Sequence, residues 1–400
     1  MMTTSKSRWT AQRRSLLGAC LTHALHDGYT DGLYAFLPVW QAQFGLSYAA
    51  LAVVRALYYG TMGGLQIPAD RALRSWSPRA ALVLSTLLAA AGLLIMALPL
   101  GFAGLCVGLV VAGMGSSIQH PRGSMLVADT YGKASRRALG TYNFAGDIGK
   151  ATLPALVALL LPILAWRPVL ALMALPGIVL AAALPMLTPA TSGAALAGKA
   201  GAAEHGGRHG RGGFRILMSI GALDTATRMG YLLFLPFLIH DKGGGSPTVG
   251  FALALLFIGG AFGKASCGWL GEQLGVVGCV MATEAATALL IVATLSTALA
   301  PTLFLLPLLG VVLNGTSSVL YGTVPELSAG DTGRAFAEFY TSVIGAGGIA
   351  PIVYGMVADH SNKTVGVLTS AATAFLIVPL ALMLRAHLRQ SAIEQRSTPS

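Results

Sequence analysis

The amino-acid sequence predicts an all-α membrane protein of twelve transmembrane helices in two pseudo-symmetric six-helix bundles. Three observations predict it. The first is composition: of 400 residues 54% are hydrophobic and 10% charged, whereas a soluble domain is about one quarter charged. Folding on itself could not hide so much apolar surface from water, so the solvent for most of it is lipid. The second is an internal repeat. Residues 137–154, RALGTYNFAGDIGKATLP, return at 334–351 as RAFAEFYTSVIGAGGIAP. Phe36-Leu37-Pro38 returns as Phe234-Leu235-Pro236, and Gly115-Ser116-Ser117 as Gly315-Thr316-Ser317, in the same order and at nearly one offset. The third is one long Gly- and Ala-rich linker at the midpoint. The expected organisation is a bundle over 1–187, a cytoplasmic linker over 188–212 and a second bundle over 213–400.

In chain order the apolar runs place spans near 15–40, 47–69, 78–98, 101–128, 136–161 and 166–187. In the second half they fall near 213–239, 247–270, 276–299, 301–326, 333–358 and 364–386. The first is expected to be an uncleaved span, since no small-residue cleavage site precedes His23, Asp27 and Asp31. The linker histidines, His205 and His209, read as part of a solvated loop rather than a metal site. Cys20, Cys106, Cys267 and Cys279 are scattered singly and read as small buried side chains, not a disulfide or metal set.

Charge sets the orientation. The formal net charge is +11, but the basic residues sit at the ends of apolar segments, which excludes a nucleic-acid surface. Lys6, Arg8, Arg13, Arg14, Arg71, Arg74, Arg79, Lys133, Arg136, Arg137, Lys199, Arg208, Arg211, Arg215, Arg385, Arg389 and Arg396 fall on one side of the spans. The other side has little beyond Arg167, Lys242 and Lys363. Both termini are therefore expected in the cytoplasm. Six plus six spans with a half-chain repeat is the plan of a two-bundle transporter.

Ionisable side chains inside spans are costly, so each is a functional candidate. On span one, His23, Asp27, Thr30, Asp31 and Tyr34 share a face, with His26 beside them. Folding spans one and two as a hairpin brings Asp31 level with Arg55. On span five, Asn143, Asp147, Lys150 and Pro154 share a face, and Asp147 and Lys150 are one turn apart. Span four contributes Gln119-His120-Pro121-Arg122, with His120 level with Ala145 to Asp147. In the second half Asp224 and Arg228 are one turn apart, Lys264 comes level with Asp224, and Asn314, Ser317, Ser318 and Tyr321 share a face. Glu284 and Glu338 lie nearer the cytoplasmic surface, where each is either a working group or a snorkelling one.

Two chemistries follow. Asp27, His120 and Asp147 are the candidates for exchanging protons. The substrate-binding candidates are His26, Asp31, Tyr34, Arg55, Arg122, Asn143, Lys150, Arg228, Lys264, Asn314 and Tyr321, whose cations favour an anionic solute. The alternative is that the cations are spent in structural pairs: Arg55 on Asp31, Lys150 on Asp147, and Arg228 or Lys264 on Asp224. No nucleophile–base pair, metal-ligand spacing or phosphate loop stands out. No enzyme activity, cofactor or metal is expected, and a membrane-embedded enzyme or sensor is the remote alternative.

The turn between spans eight and nine, Gly268-Trp-Leu-Gly-Glu-Gln-Leu-Gly275, resembles the G-x-L-[AG]-[DE]-[RQ]-x-G signature of the major facilitator superfamily. Its mate between spans two and three keeps only Asp70-Arg71. Asp70, Arg71 and Glu272 are the candidates for a conformational latch, a carboxylate capping a helix end or pairing with Arg. Within that superfamily the chain resembles the fosmidomycin resistance protein family. The resemblance rests on His26-Asp27 with Leu37-Pro38, on His120-Pro121, and on Gly146-Asp147-Ile148-Gly149 with Pro154. It departs at Arg122 and Lys150, where that family has an acid and a small residue, and Leu153-Pro154 stands where the span-five motif of antiporters has Gly-Pro. The resemblance implies a facilitator fold with a central site formed by spans 1, 2, 4, 5, 7, 8, 10 and 11. It also implies proton-driven export of a small polar or anionic compound from a bacterial inner membrane, with drug resistance as one outcome. Import of a small organic anion uses the same parts and stays open. The expected partners are a small-molecule substrate, protons and the lipid bilayer, with the protein working as a monomer.

Overall fold

The structure, a computed structural model, describes residues 3–132, 135–188, 211–328 and 332–397. Lys133, Lys199, His205, Arg208 and His209, and with them nearly all of the expected linker, lie outside the described residues.

Every regular element is helical. The order is α1 (Thr3–Phe44), α2 (Tyr48–Gly64), α3 (Gln66–Ala72), α4 (Pro78–Ala97), α5 (Gly101–Tyr131), α6 (Ser135–Leu160) and α7 (Trp166–Leu187). Then come α8 (Arg211–Asp241), α9 (Ser246–Ser296), α10 (Leu299–Thr323), a 3₁₀ turn (Pro325–Leu327), α11 (Thr332–His360) and α12 (Lys363–Ser397). The long α9 holds two of the expected spans. Gly275 interrupts it with φ 70° and ψ 166°, a left-handed conformation that a side chain would strain. This glycine closes the signature turn, so the turn is a kink rather than a loop. Splitting α9 there gives twelve long helices, as expected from the sequence.

Two boundaries differ from expectation. α1 begins well before residue 15; at 42 residues and about 1.5 Å per residue it is longer than a bilayer core is thick, so it continues beyond the apolar layer. The expected second span breaks at Leu65 into α2 and the short α3. The apolar helix α4 starts on standard signals: Ser77 accepts from the Ala80 amide, and Pro78 occupies the first turn.

Nine helices among the described residues are long and apolar enough to cross a membrane. Their outward faces are apolar too: Phe304, Met186 and Leu289 are 80%, 72% and 71% exposed. Helices that are apolar all round belong in lipid, and the chain is a multi-pass membrane protein. Three long helices fall outside those nine. α2 has only 17 residues, while α1 and α6 are diluted by the polar groups described below.

The chain divides into two compact units. One comprises Met1–Gly45, Val53–Ala200 and Ser246–Ala254, the other Leu46–Ala52, Gly201–Gly245 and Leu255–Ser400. In the first, α1 packs along α6 and α5, while α4 packs between α5 and α7; Leu82, Leu126, Tyr142 and Leu184 meet in its core. In the second, α8 packs against α10, α11 and α12, around Leu217, Ile220, Leu320, Phe339 and Ile377. The second unit also holds the start of α2. There Asp359 accepts from the first-turn amides of Tyr48 and Ala49, at 2.8 and 3.0 Å, so a carboxylate caps the positive end of a helix.

Candidate functional site

The site is built where α1, α5 and α6 converge in the first unit. Its centre is Asp27 on α1, whose side chain is 10% exposed. Lys150 Nζ of α6 lies 3.2 Å from Asp27 Oδ2. His23 Nε2, one turn earlier on α1, is 3.6 Å from the same oxygen. His120 Nε2 of α5 is 3.8 Å from Oδ1. One carboxylate is thus ringed by an ammonium and two imidazoles from three helices.

Glycine makes the approach possible. A Cβ on Gly149 would sit 1.8 Å from the Ala24 carbonyl oxygen, and one on Gly146 would sit 2.5 Å from Asp27 Oδ2. Small residues let helix backbones come close in a membrane. The Gly-Asp-x-Gly stretch of α6 is therefore the surface that lets Lys150 reach across to α1. Tyr142 stacks on the His23 ring, with centroids 4.0 Å apart, and its hydroxyl accepts from Gln119 Nε2 at 3.2 Å. Imidazole 23 is held between the carboxylate and an aromatic face.

Next to the ring is a hydroxyl network. His26 Nδ1 and Ser116 Oγ are 2.9 Å apart, Ser116 Oγ and the Tyr58 hydroxyl 2.6 Å, and Thr30 Oγ1 donates to the Tyr58 oxygen at 3.0 Å. One turn further along α1, Asp31 Oδ1 is 3.7 Å from Arg55 NH2. The Arg55 guanidinium also lies over the Tyr34 ring, 4.4 Å from its centroid, a cation–π placement.

The remaining candidates are distributed as follows. Arg122, expected at the substrate, is engaged elsewhere: its NH2 is 3.1 Å from Asp70 Oδ1 and donates to the Asp70 carbonyl at 2.8 Å. On a regular helix Arg122 points well away from His120, and α5 stays helical through Pro121, so its charge turns to α3. Asp70, one of the latch candidates, is therefore paired with Arg122 on α5. Arg71 and Glu272 are exposed. Asp147 is buried and Asn143 exposed on α6, and Lys150 reaches Asp27 on α1. In the second unit Arg228 NH1 donates to Asn314 Oδ1 at 3.4 Å. Tyr321 packs on the Phe339 and Tyr340 rings. Lys264 is half-buried, and its carbonyl accepts from Ser318.

Sequence reasoning missed Tyr142, Tyr58 and Ser116, whose roles depend on how neighbouring helices are rotated. Glu284, expected to be near the surface or snorkelling, is 1% exposed.

Helix order, the Gly275 kink and the units can be set against known proteins. Residues 19–212 match the model of the Major Facilitator Superfamily. The structure superposes on a bacterial homologue of the human lysosomal transporter Spinster, in its inward-facing unoccupied conformation, with a TM-score of 0.71. The match covers 98% of this chain and 99% of that one at 17% identity. The fold is the major facilitator fold. The same homologue in its inward-facing occupied conformation gives a TM-score of 0.66 at 16% identity, covering 96% and 98% of the two chains. Identities this low speak for the facilitator fold alone. No curated protein sequence matches the chain.

Within the facilitator fold, the Asp27 ring is polar chemistry placed inside a helical unit whose outer surface is apolar. The chemistry open to it includes protonation and ion pairing, and the ligand atoms of His23, Asp27 and His120, all within 4.8 Å of one another, could also hold a metal ion. Asp27, His23 and His120 can each bind or release a proton, and Lys150 neutralises the carboxylate when neither imidazole carries charge.

Proposed function

We propose that this protein is a major facilitator superfamily member and a secondary active transporter. It exports a small polar or anionic compound in exchange for protons across a bacterial inner membrane, with both termini in the cytoplasm. One observation carries the reading: Asp27 stands between Lys150, His23 and His120 inside the membrane. A proton arriving at this ring has three acceptors within one contact shell. Its arrival releases Lys150 from Asp27, which frees a cation to meet an anionic solute. Loss of the proton restores the ion pair and returns the site to neutrality. Arg55, beside Tyr34, is a second fixed cation for the solute. Asp147, buried on α6 one turn before Lys150, is a further proton acceptor in this scheme. The protein works as a monomer, and no cofactor or metal enters the cycle.

The resemblance of His26-Asp27, His120-Pro121 and Gly146-Asp147-Ile148-Gly149 to the fosmidomycin resistance family favours export of small phosphonates. Import of a small organic anion is the second reading, supported by the same cations. Uptake of labelled fosmidomycin and of small organic acids into inside-out vesicles, with the interior acidified, separates the two. Export predicts accumulation that collapses with the gradient. Accumulation only in right-side-out vesicles would overturn export in favour of import. Chemical turnover of the solute without a gradient would overturn transport itself.

A further inference from the structure

The Asp27 ring is a ligand set as well as a charge cluster. His23, Asp27 and His120 offer one ligand atom each, all within 4.8 Å of one another. His23 Nε2 is 3.6 Å and His120 Nε2 3.8 Å from the carboxylate oxygens. A tetrahedral ion bound by imidazole nitrogen and carboxylate oxygen needs its ligand atoms about 3.3–3.6 Å apart. The three groups already stand near that spacing. Two of them are one turn apart on one face of α1 and the third is on α5, so helix packing sets the geometry rather than a loop.

Three further features suit an ion. Gly146 keeps open the space beside two of the ligands: a Cβ there would lie 2.5 Å from Asp27 Oδ2 and 2.6 Å from His23 Nε2. The His23 ring is already oriented, stacked on Tyr142 at 4.0 Å and edge-on to the His120 ring at 5.4 Å between centroids. The His23 and Asp27 side chains are each 10% exposed, and a carboxylate attracts a cation more strongly where water is excluded. The charges around the ring favour a cation as well. With neutral imidazoles, the carboxylates of Asp27 and Asp147 against the ammonium of Lys150 leave one net negative charge. Arg55 is spent on Asp31 and Arg122 on Asp70, while His26 is bonded to Ser116. Lys150 is the competitor, 3.2 Å from Asp27 Oδ2. Its side chain is flexible and 30% exposed, and Asp147, buried one turn earlier on α6, is a carboxylate to which it can turn.

We propose that His23, Asp27 and His120 bind one divalent first-row transition-metal ion, which takes the place of Lys150 at Asp27. Two imidazoles and a carboxylate suit Zn2+ and its neighbours in that row; Mg2+ and Ca2+ select oxygen ligands instead. In the transport cycle proposed above the ion is an inhibitor rather than a cofactor, because it holds the carboxylate that Lys150 and the proton share. That consequence rests on the transport reading, whereas the binding site does not.

Isothermal titration calorimetry of Zn2+ into the untagged, detergent-purified protein tests the site. The expected result is one ion per chain. His23→Ala and His120→Ala should each weaken binding by about tenfold or more, at least as much as the loss of an outer-shell partner. A double variant, His205→Ala with His209→Ala, should bind like the wild type, which separates the ring from the linker histidines. Lys150→Met removes the competing charge and should bind Zn2+ several times more tightly, a gain that a damaged fold cannot produce. A wild type without a one-to-one site, an affinity unchanged by the ring histidine variants, or a Lys150→Met variant that binds no more tightly would overturn the proposal. Zn2+ that binds as expected yet leaves gradient-driven transport in proteoliposomes at full rate would instead overturn Asp27 as the coupling group.

Discussion

Gly149→Ala should cripple the Asp27 ring from outside it. The added Cβ would lie 1.8 Å from the Ala24 carbonyl oxygen, where real Cβ atoms stay beyond 3.0 Å. α6 must therefore withdraw from α1 by about 1.2 Å, because the obstacle is backbone and cannot turn aside. The same movement lengthens Lys150 to Asp27 from 3.2 Å to about 4.4 Å. At an effective dielectric of about 20 that weakens the pair by about 1.4 kcal/mol. Overpacking adds about 1–3 kcal/mol, and the better helix propensity of alanine returns about 1 kcal/mol. The net loss is about 1.5–3.5 kcal/mol, or a melting temperature lower by about 3–14 °C for a unit of this size. Gly140, on the same helix, has nothing within 4 Å of its would-be Cβ, so Gly140→Ala should melt at or above the wild type. The assay is a fluorescence melt of detergent-purified protein, paired with gradient-driven transport in proteoliposomes. If Gly149→Ala melts like Gly140→Ala and transports normally, the close approach of α6 to α1 is not what assembles the ring.

Three further outcomes are expected. Asp31→Arg and Arg55→Asp should each cost at least about 3–5 kcal/mol, because each breaks a buried pair and sets two like charges against one another; the double exchange should recover much of the yield and transport, and no recovery would refute the pair. Asp70→Asn should cost at most about 1 kcal/mol, since Asp70 is half-exposed and its carbonyl keeps the Arg122 bond; a melt lowered by much more than about 4 °C would show that the carboxylate matters beyond this contact. Asp359→Ala removes the acceptor for two amides at the start of α2 and should cost about 1–2 kcal/mol, read as a lower melting temperature; an unchanged melt would mean that water caps α2 equally well.

Much of the fold was legible because a membrane span is a one-dimensional signal. Length and apolarity place the helices, and Pro78 after Ser77 or Gly275 in its turn mark where they start and bend. The helices hardest to see by apolarity, α1 and α6, are those that carry the ring, because the groups that do the chemistry dilute the signal. The Asp31–Arg55 pair was readable from a hairpin, since both residues sit at similar distances from one turn. Lys150 was not. Its spacing to Asp147 suggested a pair along α6, but the contact with Asp27 depends on how close two helices come, which Gly146 and Gly149 determine. Arg122 follows the same lesson in reverse. Its neighbour His120 joins the ring, while the rotation of α5 sends Arg122 to Asp70. Burial of Glu284 was hidden because sequence gives the depth of a residue along a helix but not the face it turns to its neighbours.

The most direct test of the central claim is transport by Asp27→Asn in proteoliposomes, with an imposed proton gradient and with solute exchange at equal pH. The account predicts that gradient-driven accumulation is lost while exchange continues, because the variant can no longer couple a proton to the release of Lys150. Gradient-driven accumulation at the wild-type level would contradict it.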